Sequence, residues 1–126
     1  MATGPDRIAI WVLTPHGRDL AEKLRKLSDG VVVYCSRHLY PVGCGLAAHP
    51  FDGLMAAVKE CFRCFDGHIF IMAAGIVVRA IGPLLGHKTT DPAVVGVDDQ
   101  GKFAISLLCG HIGGANDLAV QIAEVL

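Results

Sequence analysis

His111 is the side chain in this 126-residue sequence that is best placed to do chemistry. It lies in the stretch CGHIGGAN, residues 109–116, between an apolar run and a second apolar pattern. An imidazole at the tip of such a turn can serve as a general base for water while a backbone carbonyl holds its other nitrogen. A turn histidine that hydrogen bonds only its own loop fits the same residues equally well.

Three corners that contain glycine follow short apolar runs and precede patterns with helical spacing. They are residues 14–17 (TPHG), 73–75 (AAG) and 109–116. In open α/β sheets ligands bind beyond the carboxyl ends of strands, where helix amino termini present free N–H groups. We therefore expect the three corners to share one edge of a sheet and to form a binding cleft. None of them matches GxxxxGK[ST] or GxGxxG, so neither familiar nucleotide-phosphate site is supported.

Main-chain amides are the binding groups expected at these corners. Gly75, Gly110, Gly113 and Gly114 have no side chains, so a ligand can approach their N–H groups closely. Each of these glycines taken alone is more typical of a tight turn. Asn116 is expected mainly to cap the last helix, while its side chain can still donate a hydrogen bond to a ligand oxygen.

Charged side chains supply further candidates. Arg79 is the only charge within residues 69–85 and is predicted near a helix start. A guanidinium there suits bidentate binding of a carboxylate, and an exposed position on an amphipathic helix is the alternative. Lys88 and Asp91 belong to the polar stretch HKTTDP. Asp91 either sets the turn before Pro92 or orients a histidine and activates water.

Short apolar runs alternate with helical patterns along the chain. Strands are predicted at residues 7–13, 31–34, 68–72, 93–97 and 103–108, with helices between them and from residue 116 onward. The last two strands flank the turn DDQG and predict a hairpin, whereas residues 35–50 are predicted to form a loop. This order predicts one α/β domain over residues 1–126, with three layers in which helices cover both faces of a mixed, mainly parallel sheet.

The helix ends and the cysteines carry additional predictions. Thr14, followed by a proline, and Asp52 are predicted to cap the first two helices. Cys61 and Cys64 form a CxxC on the apolar stripe of the second helix, which favours core cysteines over a metal or redox site. The final helix ends in apolar residues without a cap. This ending predicts an amino-terminal fragment of a longer protein, with the last helix covered by the remaining domain or by a second copy in a homodimer.

Composition and charge narrow the classes of partner. A formal net charge of -1 provides no strong field for nucleic acid or for an anionic membrane surface. A signal peptide and an apolar run of roughly 20 residues are both lacking, so a cytoplasmic protein is expected. Five cysteines without an export signal predict reduced thiols. Small molecules and other proteins are the expected partners.

Residues 70–119 resemble the amino-terminal region of the CbiG family, the cobalt-precorrin-5A hydrolases of anaerobic cobalamin (vitamin B12) biosynthesis. The resemblance is carried by AAGIVVRAIGPLL, TDPAVV and SLLCGHIGGAN, which stand in the order and spacing of the family. Residues 8–64 resemble the family only loosely, as a strand-helix-strand-helix lead-in.

The resemblance implies hydrolytic opening of the δ-lactone of cobalt-precorrin-5A, release of acetaldehyde and formation of cobalt-precorrin-5B. It also implies a tetrapyrrole substrate with many acetate and propionate groups, which Arg79, Lys88 and the glycine corners would suit. The cobalt would arrive inside this substrate, so neither a cofactor nor a metal site in the protein is expected. Residue chemistry then predicts that His111, with Asp91, polarises water against the lactone carbonyl while the N–H groups of Gly113 and Gly114 stabilise the oxyanion.

Two other functions stay open at this point. Family members are usually longer and continue into a carboxyl-terminal domain, so this region is alternatively a non-catalytic tetrapyrrole-docking or assembly domain. In that case the hydrolytic groups belong to the other domain, and activity of this region alone is an open question. A flavodoxin-like or nucleotide-binding domain would rest on fold analogy alone.

Overall fold

Six strands and four helices form the part of the chain that the structure, a computed structural model, describes: residues 5–39 and 48–126. The strands are β1 (Arg7–Val12), β2 (Gly30–Ser36), β3 (Ala48–Phe51), β4 (Gly67–Ile71), β5 (Ala93–Val97) and β6 (Ala104–Leu108). The helices are α1 (Pro15–Leu24), α2 (Leu54–Cys61), α3 (Ala74–Ile81) and α4 (Ala115–Val125). None of these helices is long and apolar enough to cross a membrane.

The strands form one sheet in the order β3-β2-β1-β4-β5-β6. Strands β1 to β5 pair in parallel, and β6 runs antiparallel to β5. The reversal is made by a turn in which the Asp98 carboxylate accepts hydrogen bonds from the N–H groups of Gln100, Lys102 and Phe103. Gly101 occupies the left-handed region of this turn, at φ 72°. The predicted hairpin is confirmed.

Helices cover both faces of the sheet because strand side chains alternate in direction. Ile8 and Ile10 of β1 face a layer formed by α1 and α4. Ala9 and Trp11 of the same strand face a second layer formed by α2 and α3. The prediction of a three-layer α/β fold with a mixed, mainly parallel sheet is confirmed.

The predicted loop at residues 35–50 is wrong at both of its ends. Strand β2 continues to Ser36, and β3 pairs with it in parallel. The sequence AHPF of β3 hid the strand because a proline cannot donate to the ladder, but β3 is an edge strand, where that loss is tolerated. Residues 40–47 of the predicted loop lie outside the described residues.

Two predicted caps have different outcomes. Thr14 accepts a hydrogen bond from the Gly17 N–H at 3.0 Å, and the proline after it begins α1, so that prediction is confirmed. Asp52 does not cap α2, because Gly53 occupies the cap position. The Asp52 carboxylate instead accepts a hydrogen bond from Arg37 Nε at 2.6 Å.

The CxxC is only partly a core feature. Cys61 is the last residue of α2 and is half-buried, with its thiol 3.7 Å from the Tyr34 hydroxyl. Cys64 is exposed, so the prediction that both thiols lie on the buried stripe is wrong. The physical reason is that the chain tightens into a 3₁₀ turn over Phe62–Cys64, which breaks the 3.6-residue spacing.

A neutral histidine sits in the aromatic layer beneath α2. His68 of β4 is fully buried, and its Nδ1 accepts a hydrogen bond from Trp11 Nε1 at 3.0 Å. Its Nε2 donates to the Phe62 carbonyl at 3.0 Å, so both ring nitrogens are satisfied in the uncharged form. Burial lowers the pKa of His68 to about 4, and the hydrogen bond to the Phe62 carbonyl opposes this shift.

We predict acid destabilisation through His68. Because the folded pKa lies at about 4 and the ordinary value is 6.5, the unfolded chain takes up a proton first as the pH falls. The stability due to neutral His68 is complete above pH 6.5 and is lost between 6.5 and about 4, a total of about 3 kcal/mol. Urea unfolding at several pH values should show His68→Gln less stable than wild type at pH 7, with the difference shrinking toward pH 4. If the difference in unfolding free energy between wild type and His68→Gln does not change with pH, it does not arise from the lowered pKa of His68.

Candidate functional site

The three glycine corners do not share one edge of the sheet, so the single cleft expected from the sequence is wrong. Residues 14–17 and 73–75 follow the parallel strands β1 and β4 and lie at the carboxyl edge. Residues 109–116 follow β6, which is antiparallel, and therefore lie at the opposite, amino edge. The turn that makes the hairpin thus moves the His111 corner away from the other two.

The two corners at the carboxyl edge differ from each other. In the first, the Thr14 hydroxyl both caps α1 and hydrogen bonds the Asp99 carboxylate, so its polar groups are already occupied. In the second, Gly75 borders open space, because a Cβ placed there would meet nothing within 4 Å. The neighbouring Ala73 and Ala74 line an apolar hollow of about 320 Å³ beside β6. Gly75 therefore stays a binding prediction, but it is separate from the His111 site.

A cleft of about 530 Å³ lies at the amino edge and gathers several of the predicted residues. His111, Gly113, Gly114 and Asp91 line it together with Arg63. Pro5, Asp6, Phe65, Asp66, Thr90, Pro92, Ile112 and Asp117 complete its lining. The strand order brings these residues together, because the starts of β1, β4 and β5 adjoin the end of β6. We refer to this space as the amino-edge cleft.

The His111 loop, residues 109–114, carries the free hydrogen-bonding groups of this cleft. His111 is exposed, and none of the hydrogen bonds among the described residues involves its ring. The N–H groups of His111, Ile112, Gly113 and Gly114 are likewise without partners within the described ranges. Gly114 takes φ 86° and turns the chain into α4. His111 and Ile112 are exposed, Gly113 is half-buried and Gly114 is buried. One loop therefore combines an exposed imidazole with main-chain donors that have no partner, a set that could activate water and hold an oxyanion.

Asp91 is held in an ion pair and is not a partner of His111. Its side chain is only 4% exposed, and it accepts a hydrogen bond from Arg63 Nη1 at 2.7 Å and from the Gly86 N–H at 3.0 Å. Burial raises the pKa of the Asp91 carboxyl, but the hydrogen bonds from Arg63 and Gly86 outweigh it, so the pKa lies below its usual range. The expectation that Asp91 orients His111 or activates water is therefore not supported. The alternative, that Asp91 sets the turn, agrees with these contacts.

Lys88 and Gly110 stand on the other side of His111. They line a second hollow of about 250 Å³ with Cys109, His111 and Ile112. Gly110 has no room for a side chain, because a Cβ would lie 2.6 Å from Asn116 Oδ1. Lys88 thus adjoins the His111 loop and Gly110 belongs to it, but neither residue lines the amino-edge cleft.

The sequence placed Asn116 and Arg79 wrongly within their helices. Asn116 is the second residue of α4, and Gly114 occupies the cap position, so Asn116 is not the helix cap. Its amide N–H donates to the Gly110 carbonyl at 3.1 Å and closes the His111 loop. Arg79 lies in the last turn of α3 rather than near the helix start. It is exposed there, so the alternative of an exposed position on an amphipathic helix is confirmed. It lines neither of the two hollows beside His111.

The rim of the amino-edge cleft is acidic, which the sequence did not suggest. Asp6, Asp66 and Asp117 line it, and Arg63, already paired with Asp91, is the one lysine or arginine in its lining within the described ranges. These carboxylates are far apart in sequence and converge because the starts of β1 and β4 meet the first turn of α4 at this edge. A polyanionic ligand would be repelled here, whereas an uncharged group could reach His111.

Cys109 begins the His111 loop in an unusual backbone conformation. Its φ is 57°, a value in the left-handed region that residues with a side chain rarely adopt. Burial and the Asp91 carboxylate raise the pKa of the Cys109 thiol, against the opposing charge of Arg63. The protonated thiol lies 3.4 Å from the Lys88 carbonyl and can donate to it. Cys109 is therefore a structural contact between two loops rather than an activated nucleophile.

We predict that Gly113 and Gly75 respond in opposite ways to alanine. A Cβ on Gly113 would lie 2.7 Å from Cys109 Cβ and 3.0 Å from the Cys109 carbonyl oxygen, so Gly113→Ala must shift the backbone of the His111 loop. The expected cost is about 1 to 3 kcal/mol of unfolding free energy. Gly75→Ala is the matched control, since it meets nothing within 4 Å and should be neutral or stabilising by up to about 1 kcal/mol. Urea unfolding measures the free energy of unfolding of both variants. Equal changes would contradict the inference that Gly113 is crowded and Gly75 is not.

Comparisons with known proteins identify a family and relatives that this chain matches. The family model described as Cobalamin synthesis G N-terminal matches residues 56–126. A protein of Salmonella typhimurium named "Cobalt-precorrin-5A hydrolase" is 41% identical over 97% of this chain, which covers 34% of that relative. A protein of Priestia megaterium with the same name is 38% identical over 94% of this chain and 32% of its own length.

A solved structure shows the same fold. The crystal structure of a cobalamin biosynthesis protein G homologue from Sulfolobus solfataricus superposes with a TM-score of 0.70 at 28% identity, over 94% of this chain and 33% of that one. This chain therefore spans about a third of the length of the relatives that it matches. The family model, which matches more than half of the chain, settles the family: the protein belongs to the Cobalamin synthesis G N-terminal family.

Proposed function

We propose that this chain is the amino-terminal part of a cobalt-precorrin-5A hydrolase of anaerobic cobalamin biosynthesis. The observation that carries the proposal is the 41% identity, over 97% of the chain, to a relative with that name. Because the chain spans about a third of that relative, the proposed activity is that of the whole family protein, with a carboxyl-terminal domain as a partner within it.

The groups of the amino-edge cleft support a role in lactone hydrolysis. In this proposal His111 takes a proton from water, and the water oxygen adds to the lactone carbonyl. The N–H groups of Gly113 and Gly114 hydrogen bond the resulting oxyanion until the ester C–O bond breaks. The freed oxygen stays on the two-carbon unit as an alkoxide. It becomes the aldehyde C=O when the C–C bond to the macrocycle breaks, so acetaldehyde leaves, and the electron pair of that bond stays on the macrocycle and takes up a proton. Asp91 does not take part, because its carboxylate is bound to Arg63 and to the Gly86 N–H.

The acidic rim sets the orientation of the proposed substrate. A lactone is an uncharged ester, so it can approach His111 without meeting a like charge. The acetate and propionate groups of the macrocycle would be repelled by Asp6, Asp66 and Asp117 and would point away from the cleft. Most of the macrocycle would therefore bind beyond this cleft, to other surfaces of the family protein.

Several accompanying features belong to the same proposal. The cobalt arrives with the substrate, and the protein supplies neither a cofactor nor a metal site of its own. The reaction takes place in the cytoplasm. Coverage of α4 by the carboxyl-terminal domain or by a second copy stays a prediction; the exposed Val120 on that helix is consistent with it.

A second candidate function is docking of the tetrapyrrole without turnover. The observation that favours docking is that about two thirds of the length of the relatives lies outside the region that this chain matches. The hydrolytic groups would then belong to the carboxyl-terminal domain, and the His111 loop would hold the substrate only.

Acetaldehyde release from cobalt-precorrin-5A tests the proposal, with reduction of acetaldehyde by alcohol dehydrogenase as the readout. In the family protein that contains this region, His111→Ala should lower single-turnover release by about 100-fold or more, the usual effect of removing a general base. His38→Ala is the matched control, because His38 is exposed at the carboxyl edge and should leave the rate unchanged.

The outcomes separate the two candidate functions. Unchanged release in His111→Ala removes His111 from catalysis. Calorimetric binding of cobalt-precorrin-5A by this chain, without acetaldehyde release until the carboxyl-terminal domain is added, supports docking. If neither binding nor release occurs with the complete protein, the proposed function is wrong.

A further inference from the structure

Arg63 joins three segments at the amino edge. Its Nη1 donates to Asp91 Oδ1 at 2.7 Å, and its Nη2 donates to the Leu84 carbonyl at 2.8 Å. The guanidinium carbon also lies over the Phe62 ring, 5.1 Å from its centre, within cation–π distance. The side chain is about half exposed, and it lines the amino-edge cleft. One arginine thus connects the 3₁₀ turn after α2 to both ends of residues 84–91.

Residues 84–91 wind tightly around this arginine. The Asp91 carboxylate accepts a hydrogen bond from the Gly86 N–H, and the His87 carbonyl accepts hydrogen bonds from the N–H groups of Thr90 and Asp91. Gly86 is packed closely, since a Cβ there would lie 3.2 Å from Arg63 Nη2. The guanidinium thus contacts both ends of a segment that its own hydrogen bonds also close.

The same segment contacts the His111 loop. The Lys88 carbonyl accepts the Cys109 thiol at 3.4 Å, at the residue whose φ is 57°. The Cys109 carbonyl in turn accepts the Ala115 N–H at 3.1 Å, and the Gly110 carbonyl accepts the Asn116 N–H at 3.1 Å. A continuous series of contacts thus leads from Arg63 through Lys88 and Cys109 to the loop that carries His111.

We propose that Arg63 is a positioning residue, which holds residues 84–91 against the His111 loop and thereby fixes His111 in the amino-edge cleft. The planar fork of arginine is required, because two of its nitrogens reach acceptors on different residues at the same time. A lysine would keep the charge but would have one nitrogen for both acceptors. The kinetic part of this proposal rests on the proposed function, whereas its structural part does not.

Amide hydrogen exchange in the intact protein tests the structural part. The amides of Thr90 and Asp91 report on residues 84–91, and those of Ala115 and Asn116 report on the His111 loop. In Arg63→Met we expect both sets to exchange at least about tenfold faster, whereas the amides of β1 should not change. In Arg63→Lys both sets should exchange at intermediate rates.

Arg37→Met is the matched control for a lost arginine ion pair. Arg37 pairs with Asp52 at 2.6 Å, both side chains are exposed, and they lie at the carboxyl edge. This variant should leave the amides of Ala115 and Asn116 at wild-type rates. If Arg63→Met does not fold, Arg63→Lys and Asp91→Asn answer the same question with smaller changes.

Two exchange results would overturn the proposal. The first is faster exchange in residues 84–91 with no change at Ala115 and Asn116, because the two loops would then be independent. The second is no change in either set. Both results are obtained without substrate, so they stand whether or not the proposed function is correct.

Acetaldehyde release tests the kinetic part. Arg63→Met should lower kcat with little change in KM, since Arg63 acts through the orientation of His111. The double variant Arg63→Met with His111→Ala should be no slower than His111→Ala alone, because the effect of positioning disappears with the positioned residue. If the loss of rate in the double variant equals the product of the two single losses, Arg63 acts independently of His111, and the positioning role is refuted.

Discussion

The reversal of the chain between β5 and β6 is the constraint on which the site depends. A strand joined to its neighbour by a short turn must run antiparallel to it, so its end lies at the edge where the other strands begin. The Asp98 carboxylate, which accepts three N–H groups, and Gly101, at φ 72°, stabilise that reversal. As a result, the His111 loop meets Arg63 and the starts of the parallel strands rather than the first turns of α1 and α3.

The sequence predicted the strands and helices better than it predicted which loops they bring to the same edge of the sheet. Alternating apolar runs and helical patterns identified five of the strands, and the turn DDQG identified the hairpin. The same hairpin already implied that residues 109–116 lie at the opposite edge of the sheet. The rule that ligands bind beyond the carboxyl ends of strands does not reveal this, because it does not consider the direction of each strand. Strand β3 was missed because Pro50 interrupts its pattern, and an edge position, which makes that proline tolerable, is a tertiary property.

The candidate site shows which properties of a residue are local. His111 and its glycines were identifiable because they adjoin one another in sequence. Arg63 was not identified, because its partner Asp91 lies 28 positions away and the pairing depends on strand order. The acidic rim was missed for the same reason, since Asp6, Asp66 and Asp117 come from three separate segments. Arg79 has a guanidinium that could bind a carboxylate, but α3 begins farther from it than the sequence suggested.

The amino-edge cleft has paired side chains on one side, Arg63 and Asp91, and hydrogen-bond donors without partners in the His111 loop on the other. Asp91 is almost fully buried, so loss of the half-exposed Arg63 would leave its carboxylate without a charged partner, which favours keeping the two side chains paired. The cost of bending Cys109 into the left-handed region must be met by the contacts around it, among them the Lys88 carbonyl and the Ala115 N–H. Those contacts satisfy the base of the loop and leave the N–H groups of its tip without partners. A loop held at its base and open at its tip is what stabilisation of a transient oxyanion requires, because its donors are in place before the charge develops.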